Sequence, residues 1–259
     1  LEFRRVLFRS HPTTAMPSPV DFLKHFEHAY QNGQNEILCI CMSSKTSGSY
    51  QSAEIAKSYF KDEHPENDYK IHVLDSTSMS HGSGWLILKS LRLIEKGLNF
   101  EEIVDYLEQH KRNVKHFLSV DDLDNLVRSG RLRYGSALIG KIMKVKPIMT
   151  MKQGEGAIVS KERGRKGVLQ HYINAFKSRV DLEQTDFVIV GYTSDKLYAE
   201  NLVHLIHSET EFKGDILLLQ MGVAVGTHVG LGGLSFYFME KPHIKDGLLV
   251  NNINKITHK

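Results

Sequence analysis

Hydroxyl side chains crowd the chain between positions 43 and 52, directly after a short apolar run that begins at Ile37. The apolar run predicts a buried strand, and the serine-rich residues predict the turn into a following helix. Because the first N–H groups of a helix lack intrahelical partners, such a turn can hold an anionic oxygen at the carboxyl end of the strand. The hydroxyl residues are Ser43, Ser44, Thr46, Ser47, Ser49 and Ser52.

Helix capping is the simpler explanation of these hydroxyls, because Ser and Thr are common N-cap residues. One cap uses only one or two side chains, however, and six lie at this turn. The sequence therefore favours a polar ligand site here over capping alone.

A second hydroxyl-rich turn follows the next predicted strand, which ends at Asp75. Consecutive parallel strands place their carboxyl ends side by side, so this turn could complete a site with the first. An Asx turn followed by an N-cap is the alternative explanation of residues 75–80.

His228 lies in the glycine-rich sequence GTHVGLGG. Glycines allow the backbone to approach a ligand closely, and an imidazole can form a hydrogen bond with an anion. On the motif alone, a histidine in an ordinary surface loop is an equally good explanation.

Basic residues gather between positions 141 and 166, where Glu155 and Glu162 are the acidic residues. Strand alternation predicts that Lys161, Arg163 and Arg165 share one face. A solvated edge strand commonly carries such residues, and the functional alternative is a surface for phosphate or for an acidic partner. The full set is Lys141, Lys144, Lys146, Lys152, Lys161, Arg163, Arg165 and Lys166.

Several catalytic and metal-binding classes have no support in the sequence. The motifs G-x-S-x-G, G-x-x-x-x-G-K-[ST] and G-x-G-x-x-G are absent, which removes the usual evidence for a nucleophile elbow or a nucleotide loop. His25 and His28 are three residues apart, as are His204 and His207, but no Cys or carboxylate pattern completes a zinc site. We predict no metal and no cofactor.

Composition indicates a soluble chain of one large or two modest domains, with 259 residues, 41% apolar and 24% charged. A formal charge of +3 is too small to indicate nucleic-acid binding. Cys39 and Cys41 alternate along one strand, which predicts two free thiols in a reducing compartment. No apolar run approaches the roughly 20 residues of a membrane helix.

The order of predicted elements changes between residues 113 and 115. Helices and strands alternate before that point, which predicts a parallel sheet with helices on its faces. The later part predicts a hairpin around residues 153–156, a helix over residues 136–143, and further strands that end at Met239. Residues 222–233 are interpreted as a glycine-rich loop. The termini are expected to lie outside the fold, with residues 1–10 (LEFRRVLFRS) as a non-native leader and residues 241–259 as a loose tail.

Six motifs in order resemble the DegV family, the fatty-acid-binding subunits of bacterial fatty acid kinase. They are PTTAMPSP, SSKTSGSYQSA, VLDSTSMSHGSG, SVDDLDNLVRSGRL, KPIMTM and GTHVGLGG. The resemblance implies a two-domain α/β fold, with a parallel Rossmann-like sheet domain over residues 11–114 and a mixed-sheet α/β domain over residues 115–240. It covers about Pro12 to Phe238.

The resemblance also implies a cytoplasmic carrier that performs no chemistry of its own. It would bury the chain of one long-chain fatty acid between its domains and present the carboxylate to a kinase that makes acyl phosphate for phospholipid synthesis. Thr14, Ser47 and His228 match the family's carboxylate-binding positions, with Ser44 and Ser49 as weaker candidates. Arg163 matches an arginine near the head group, and Lys161 and Arg165 are assigned with it to the phosphate or the kinase. Contact with a membrane surface would be transient.

The chain departs from the family pattern at residues 14–16, 47–49 and 230–232, where this sequence has TAM, SGS and GLG. Family members begin with further strands before the PTT motif, so we expect a truncated first sheet here. Two other functions stay open on the residues alone. One is a serine-dependent hydrolase or acyl transferase that uses the serines at positions 43–49 with His228, and the other is a sensor of a phosphate-bearing ligand.

Overall fold

A small parallel sheet is formed by β1 (Glu36–Cys41) and β2 (Lys70–Asp75). The computed structural model describes residues 12–66, 68–132 and 145–242. The register pairs Glu36 with Lys70 at one end and Cys41 with Asp75 at the other, so both strands end at the same edge. The predicted parallel pair is confirmed, and the two hydroxyl-rich turns leave it together.

Four helices accompany this sheet in the described part of the chain. Two of them begin with a complete capping box, formed by Ser18 with Asp21 and by Asn99 with Glu102, in which the cap and the third helical residue satisfy each other's backbone N–H groups. Their bounds are α1 (Pro19–Gln31), α2 (Ser49–Glu63), α3 (His81–Glu95) and α4 (Phe100–His110), which a 3-10 turn follows at Lys111–Asn113. Phe26 and Phe60 bury one face of α1 against α2.

A mixed sheet of six strands begins at Val114. Its strand order is β5-β4-β3-β8-β6-β7, in which β6 and β7 are parallel and the other pairs are antiparallel. The strands are β3 (Val114–Ser119), β4 (Val145–Lys152), β5 (Glu155–Arg163), β6 (Phe187–Tyr192), β7 (Asp215–Gln220) and β8 (Leu234–Met239). The helices between them are α5 (Asp124–Arg128), α6 (Gly164–Arg179), α7 (Lys196–Glu209) and α8 (Val223–Val229).

The two faces of the large sheet have different neighbours. One face packs against α6 and α7 in a cluster that includes Tyr172, Phe176 and Leu202. The other face meets α3, whose Trp85 is fully buried and stacks on Phe187 with ring centroids 4.9 Å apart. Because α3 also contacts β1, this helix joins the two sheets.

Two predictions about local structure are wrong. Part of the glycine-rich stretch is the helix α8, which begins after Gly222 and ends before Gly230 at φ +75°. Arg165 does not share a strand face with Lys161 and Arg163, because Gly164 at φ +64° turns the chain from β5 into α6. The helix predicted over residues 136–143, the leader over residues 1–10, and the tail beyond residue 242 lie outside the described residues. No described helix has the length and apolar character that crossing a membrane requires.

A buried histidine should make the fold sensitive to mild acid. Burial, together with the neighbouring His81 and Lys115, lowers the pKa of His116 to about 3. Between that value and about 6.5, the unfolded chain binds a proton that the folded chain does not, so stability falls as the pH falls. From pH 7 to pH 5 we expect a loss of about 2 kcal/mol in the free energy of unfolding from this residue.

Urea unfolding at the two pH values measures this loss. The His116→Phe variant should show a clearly smaller decrease than the natural sequence between pH 7 and pH 5. An equal decrease in both proteins would mean that His116 is not the acid-sensitive group.

Candidate functional site

The first serine turn places a pair of hydroxyls at the positive end of a helix. Ser47 Oγ and Ser49 Oγ are 2.8 Å apart, and the Ser49 N–H donates to Ser47 Oγ at 3.2 Å. Gly48 is the N-cap of α2, and as a glycine it has no side chain to cap this helix. The helix dipole and the hydroxyl pair together favour an anionic group.

Thr14 and His228 meet at this side of the molecule although 214 positions separate them. Thr14 Oγ1 and His228 Nε2 lie 2.8 Å apart. The segment that carries Thr14 also touches the serine turn, because a Cβ atom at Gly48 would lie 2.3 Å from the Met16 sulfur. The structure thus brings Thr14 into contact with His228 and brings its neighbour Met16 against the turn of Ser47.

The imidazole of His228 is half-buried at the end of α8. Burial lowers its pKa, and the nearby Arg131 guanidinium lowers it further. A neutral imidazole at pH 7 can accept a hydrogen bond at one ring nitrogen and donate at the other. His228 Nδ1 is buried and has no hydrogen-bond partner within the described residues, which leaves it available to a ligand.

Arg131 is a candidate that the sequence reasoning missed. It is half-buried and close enough to His228 to lower the pKa of that imidazole. Its signal in the sequence was the motif SVDDLDNLVRSGRL, which contributed to the family resemblance but was assigned no role. A cation beside the histidine would attract a carboxylate to the same position.

Ser43 and Ser44 do not join the hydroxyl pair. Ser43 Oγ donates to the Gly154 carbonyl oxygen at 2.6 Å, and Ser44 is exposed, with its N–H donating to Asp75 Oδ1 at 3.2 Å. Asp75 Oδ1 also accepts from the Thr77 N–H at 2.9 Å, which is the Asx turn considered above. These two serines tie the first turn to the hairpin and to the second turn.

The glycines after His228 pack closely against protein side chains. A Cβ atom at Gly230 would lie 2.4 Å from Asn125 Nδ2, and one at Gly232 would lie 2.3 Å from the Asp121 carboxylate. Among the described residues, these close approaches fix the loop that follows the histidine.

The basic candidates lie on the edge strand β5 and at the start of α6. Lys161 and Arg163 are on β5, an edge strand of the large sheet. Arg165 forms ion pairs with Asp195 and Asp121, and its guanidinium lies 4.6 Å from the centre of the Tyr198 ring. In the described chain, no hydrogen bond or ion pair joins Arg163 to Thr14, Ser47 or His228.

An apolar cluster begins directly behind His228. Val229 packs with Leu126, Leu118, Met149 and further buried side chains of the large sheet. A cavity of about 20 Å³ lies in this region. Within residues 12–66, 68–132 and 145–242, no group of three or more His, Cys, Asp or Glu side chains is placed to hold a metal ion. The site therefore combines a polar entrance with an apolar interior.

Comparison with known sequences identifies one family. A family profile described as "Uncharacterised protein, DegV family" matches residues 7–241. A DegV domain-containing protein of Clostridium acetobutylicum is 34% identical over 230 residues, which are 89% of this chain and 78% of the relative. Another, from Caldanaerobacter subterraneus, is 32% identical over 231 residues, which are 89% of this chain and 79% of the relative.

Solved structures share the fold and confirm the predicted α/β class. A DegV family protein of Thermus thermophilus described as fatty-acid-binding has a TM-score of 0.79 and 27% identity, covering 90% of this chain and 80% of its own. The Fatty Acid Kinase (Fak) B3 protein of Streptococcus pneumoniae, loaded with linoleic acid, has a TM-score of 0.78 and 27% identity, with coverage of 90% and 80%.

Proposed function

Because this chain belongs to the DegV family, we propose that it binds a long-chain fatty acid between its two sheets. Thr14, Ser47 and His228 hold the carboxylate, with Ser49 beside Ser47 and Arg131 as an additional cation. The acyl chain enters the apolar interior behind Val229. In this proposal the two sheets form separate domains that meet near residue 114.

The observation that carries the proposal is the 2.8 Å contact between Thr14 Oγ1 and His228 Nε2, made by the segment whose Met16 packs against Gly48 at the start of α2. A hydroxyl, an imidazole and the N-terminus of a helix are groups that bind a carboxylate well. Val229 and its cluster form an apolar region that can surround the acyl chain. Each methylene of the acyl chain that is removed from water contributes about 0.8 kcal/mol to binding. Fatty acids bound by the Thermus thermophilus and Streptococcus pneumoniae proteins support this ligand class.

A kinase partner is the second part of the proposal. The carrier has no catalysis of its own and presents the bound carboxylate to an ATP-dependent fatty acid kinase, whose acyl phosphate product serves phospholipid synthesis. In this proposal Arg163 and Lys161 on the edge strand β5, and Arg165 at the start of α6, bind an acidic partner surface or the new phosphate. The structural similarity to the Fatty Acid Kinase (Fak) B3 protein of Streptococcus pneumoniae supports this role. Such a carrier works in the cytoplasm and touches the membrane surface only briefly.

The serine hydrolase or acyl transferase alternative is less well supported by the geometry. His228 Nε2 forms a hydrogen bond with Thr14 Oγ1. Ser47 and Ser49 form a hydrogen bond with each other, and Ser43 donates one to the Gly154 carbonyl oxygen. A serine nucleophile needs a base within hydrogen-bond reach, and none of these serines has an imidazole there among the described contacts. Covalent labelling of one serine by a phosphonate probe would favour the enzyme. Stabilisation by phosphate without lipid would favour a sensor of phosphate-bearing ligands.

Mass spectrometry of organic extracts from the folded protein tests the proposal, with a delipidated sample as control. We expect one long-chain fatty acid per chain, and uptake of added fatty acid by the delipidated sample. The loaded protein, given ATP and a fatty acid kinase, should yield acyl phosphate that hydroxylamine traps as a hydroxamate. A folded protein that carries no fatty acid and takes up none would overturn the binding function. Binding without hydroxamate would overturn the kinase role alone.

A further inference from the structure

A second group of polar side chains is buried where α3 meets the large sheet, at the second serine turn. Ser78 is 2% exposed and His116 is 4% exposed, and Tyr237 is fully buried. Ser78 Oγ, His81 Nδ1 and His116 Nδ1 are all buried without a hydrogen-bond partner in the described part of the chain. An unsatisfied buried polar atom costs about 1–3 kcal/mol, so this group calls for a ligand or for water.

His116 and Tyr237 form the centre of this group. They lie opposite each other on β3 and β8, with His116 Nε2 and Tyr237 Oη 3.3 Å apart. Burial raises the pKa of Tyr237 to about 12 and lowers that of His116 to about 3, so both groups are neutral at pH 7. The Tyr237 hydroxyl uses one nitrogen of the His116 ring, and the other nitrogen is left to bind something else.

The backbone around the group is held in unusual conformations. Thr77 and Ser80, which flank Ser78, have φ values of +51° and +54°, a region that side chains other than glycine rarely occupy. The neighbouring glycines leave little spare room, since a Cβ atom at Gly82 would lie 1.9 Å from Ser78 Oγ and one at Gly191 would lie 2.5 Å from His81 Nδ1. The surrounding packing therefore holds these polar atoms in place.

His116 is the member of this polar group that borders the apolar interior of the candidate site. The 20 Å³ cavity is lined by His116 and Met79 together with Leu118, Leu126 and Met149. Arg131, which lies near His228, lines the same cavity, so the cavity connects the two regions. Thr150 also lines it, and the buried Thr150 hydroxyl lacks a partner among the described residues.

The cavity holds about one water molecule, so an acyl chain requires side chains to move. Methionine is unbranched and has three rotatable bonds, which makes it the apolar side chain that adapts most readily. Met79, Met149 and Met151 line this cavity. Their rearrangement would enlarge it in the space between Arg131 and His116.

We propose that His116 and Ser78 bind an oxygen atom on the acyl chain, so that the preferred ligand is a fatty acid with a hydroxyl group along its chain. This inference rests on the proposed fatty-acid function and adds a ligand class to it. A hydroxyl group both donates and accepts, so it matches His116 Nδ1 in either tautomer and Ser78 Oγ as well. A plain methylene at this position would leave both atoms unsatisfied.

A binding competition tests the inference. Stearic acid is compared with a panel of stearic acids that each carry one hydroxyl at a different mid-chain carbon. We expect one hydroxy acid to bind about tenfold more tightly than stearic acid, because its hydroxyl group forms one or two buried hydrogen bonds that stearic acid cannot form. The His116→Phe and Ser78→Ala variants should each lose most of this preference for the hydroxy acid over stearic acid. His207→Phe, a change at an exposed histidine of α7, is the control and should keep the preference.

Each outcome decides a different point. If stearic acid and every hydroxy acid bind equally, water satisfies His116 and the inference is wrong, while the fatty-acid function stands. If neither His116→Phe nor Ser78→Ala changes a measured preference, the oxygen is recognised elsewhere and the assignment to these residues is wrong. If no acid binds to the folded protein, the proposed function fails and this inference fails with it. Ser78→Ala removes only one oxygen atom. If His116→Phe does not fold, the Ser78→Ala variant alone decides whether these residues recognise the hydroxyl group.

Discussion

The His228→Phe variant should bind a long-chain fatty acid about ten- to a hundredfold more weakly than the natural sequence. The phenyl ring keeps most of the imidazole's volume but removes both nitrogens, one of which lies 2.8 Å from Thr14 Oγ1. A hydrogen bond to a charged group contributes about 1.5–3 kcal/mol, and each 1.4 kcal/mol is a factor of ten in affinity. Titration calorimetry with delipidated protein measures the change.

Two controls accompany this variant. Thr13→Val is an exposed change beside Thr14 and should leave the affinity unchanged, whereas Thr14→Val should weaken binding about tenfold. The His207→Phe variant tests whether loss of any histidine has the same effect. Wild-type affinity in both His228→Phe and Thr14→Val would show that the carboxylate binds elsewhere.

The Trp85→Ala variant should lose about 3–5 kcal/mol of the free energy of unfolding, the usual cost of removing a large buried aromatic side chain. Trp85 is fully buried, stacks on Phe187, and donates from Nε1 to the Phe187 carbonyl oxygen at 3.3 Å. Its removal opens a cavity and leaves that carbonyl without this donor. Urea unfolding followed by circular dichroism measures the loss.

The matched control is Ile87→Ala on the same helix, because Ile87 is 46% exposed. We expect it to change the free energy of unfolding by less than about 1 kcal/mol. Because α3 joins the two sheets, Trp85→Ala should also separate their unfolding into two transitions. A single transition with a loss as small as that of Ile87→Ala would contradict the proposed role of this helix.

Local patterns predicted much of the fold. The apolar runs before Ser43 and Ser76 are patterns of neighbouring residues, so they can be recognised in a single sequence. The turn at Gly164 and the helix after Gly222 were missed because glycine fits several conformations, and the choice depends on the surrounding structure.

The site was harder to predict than the fold. The contact between Thr14 and His228 joins distant parts of the chain, and only the family resemblance suggested it. Arg131 and His116 were missed because their roles depend on burial and on neighbours from other strands. A histidine in an alternating strand has the same local pattern whether its second nitrogen is bonded or not.

The small sheet has a consequence for the behaviour of the protein at high concentration. Its order is β1-β2, so among the described residues each strand pairs on one side and presents unpaired backbone groups on the other. The sequence of β1, EILCIC, places five apolar residues after a single glutamate. A strand edge with few charges can pair with the same edge of another molecule. Within the described chain, the outer edge of β1 is therefore open to pairing with the same strand of a second molecule.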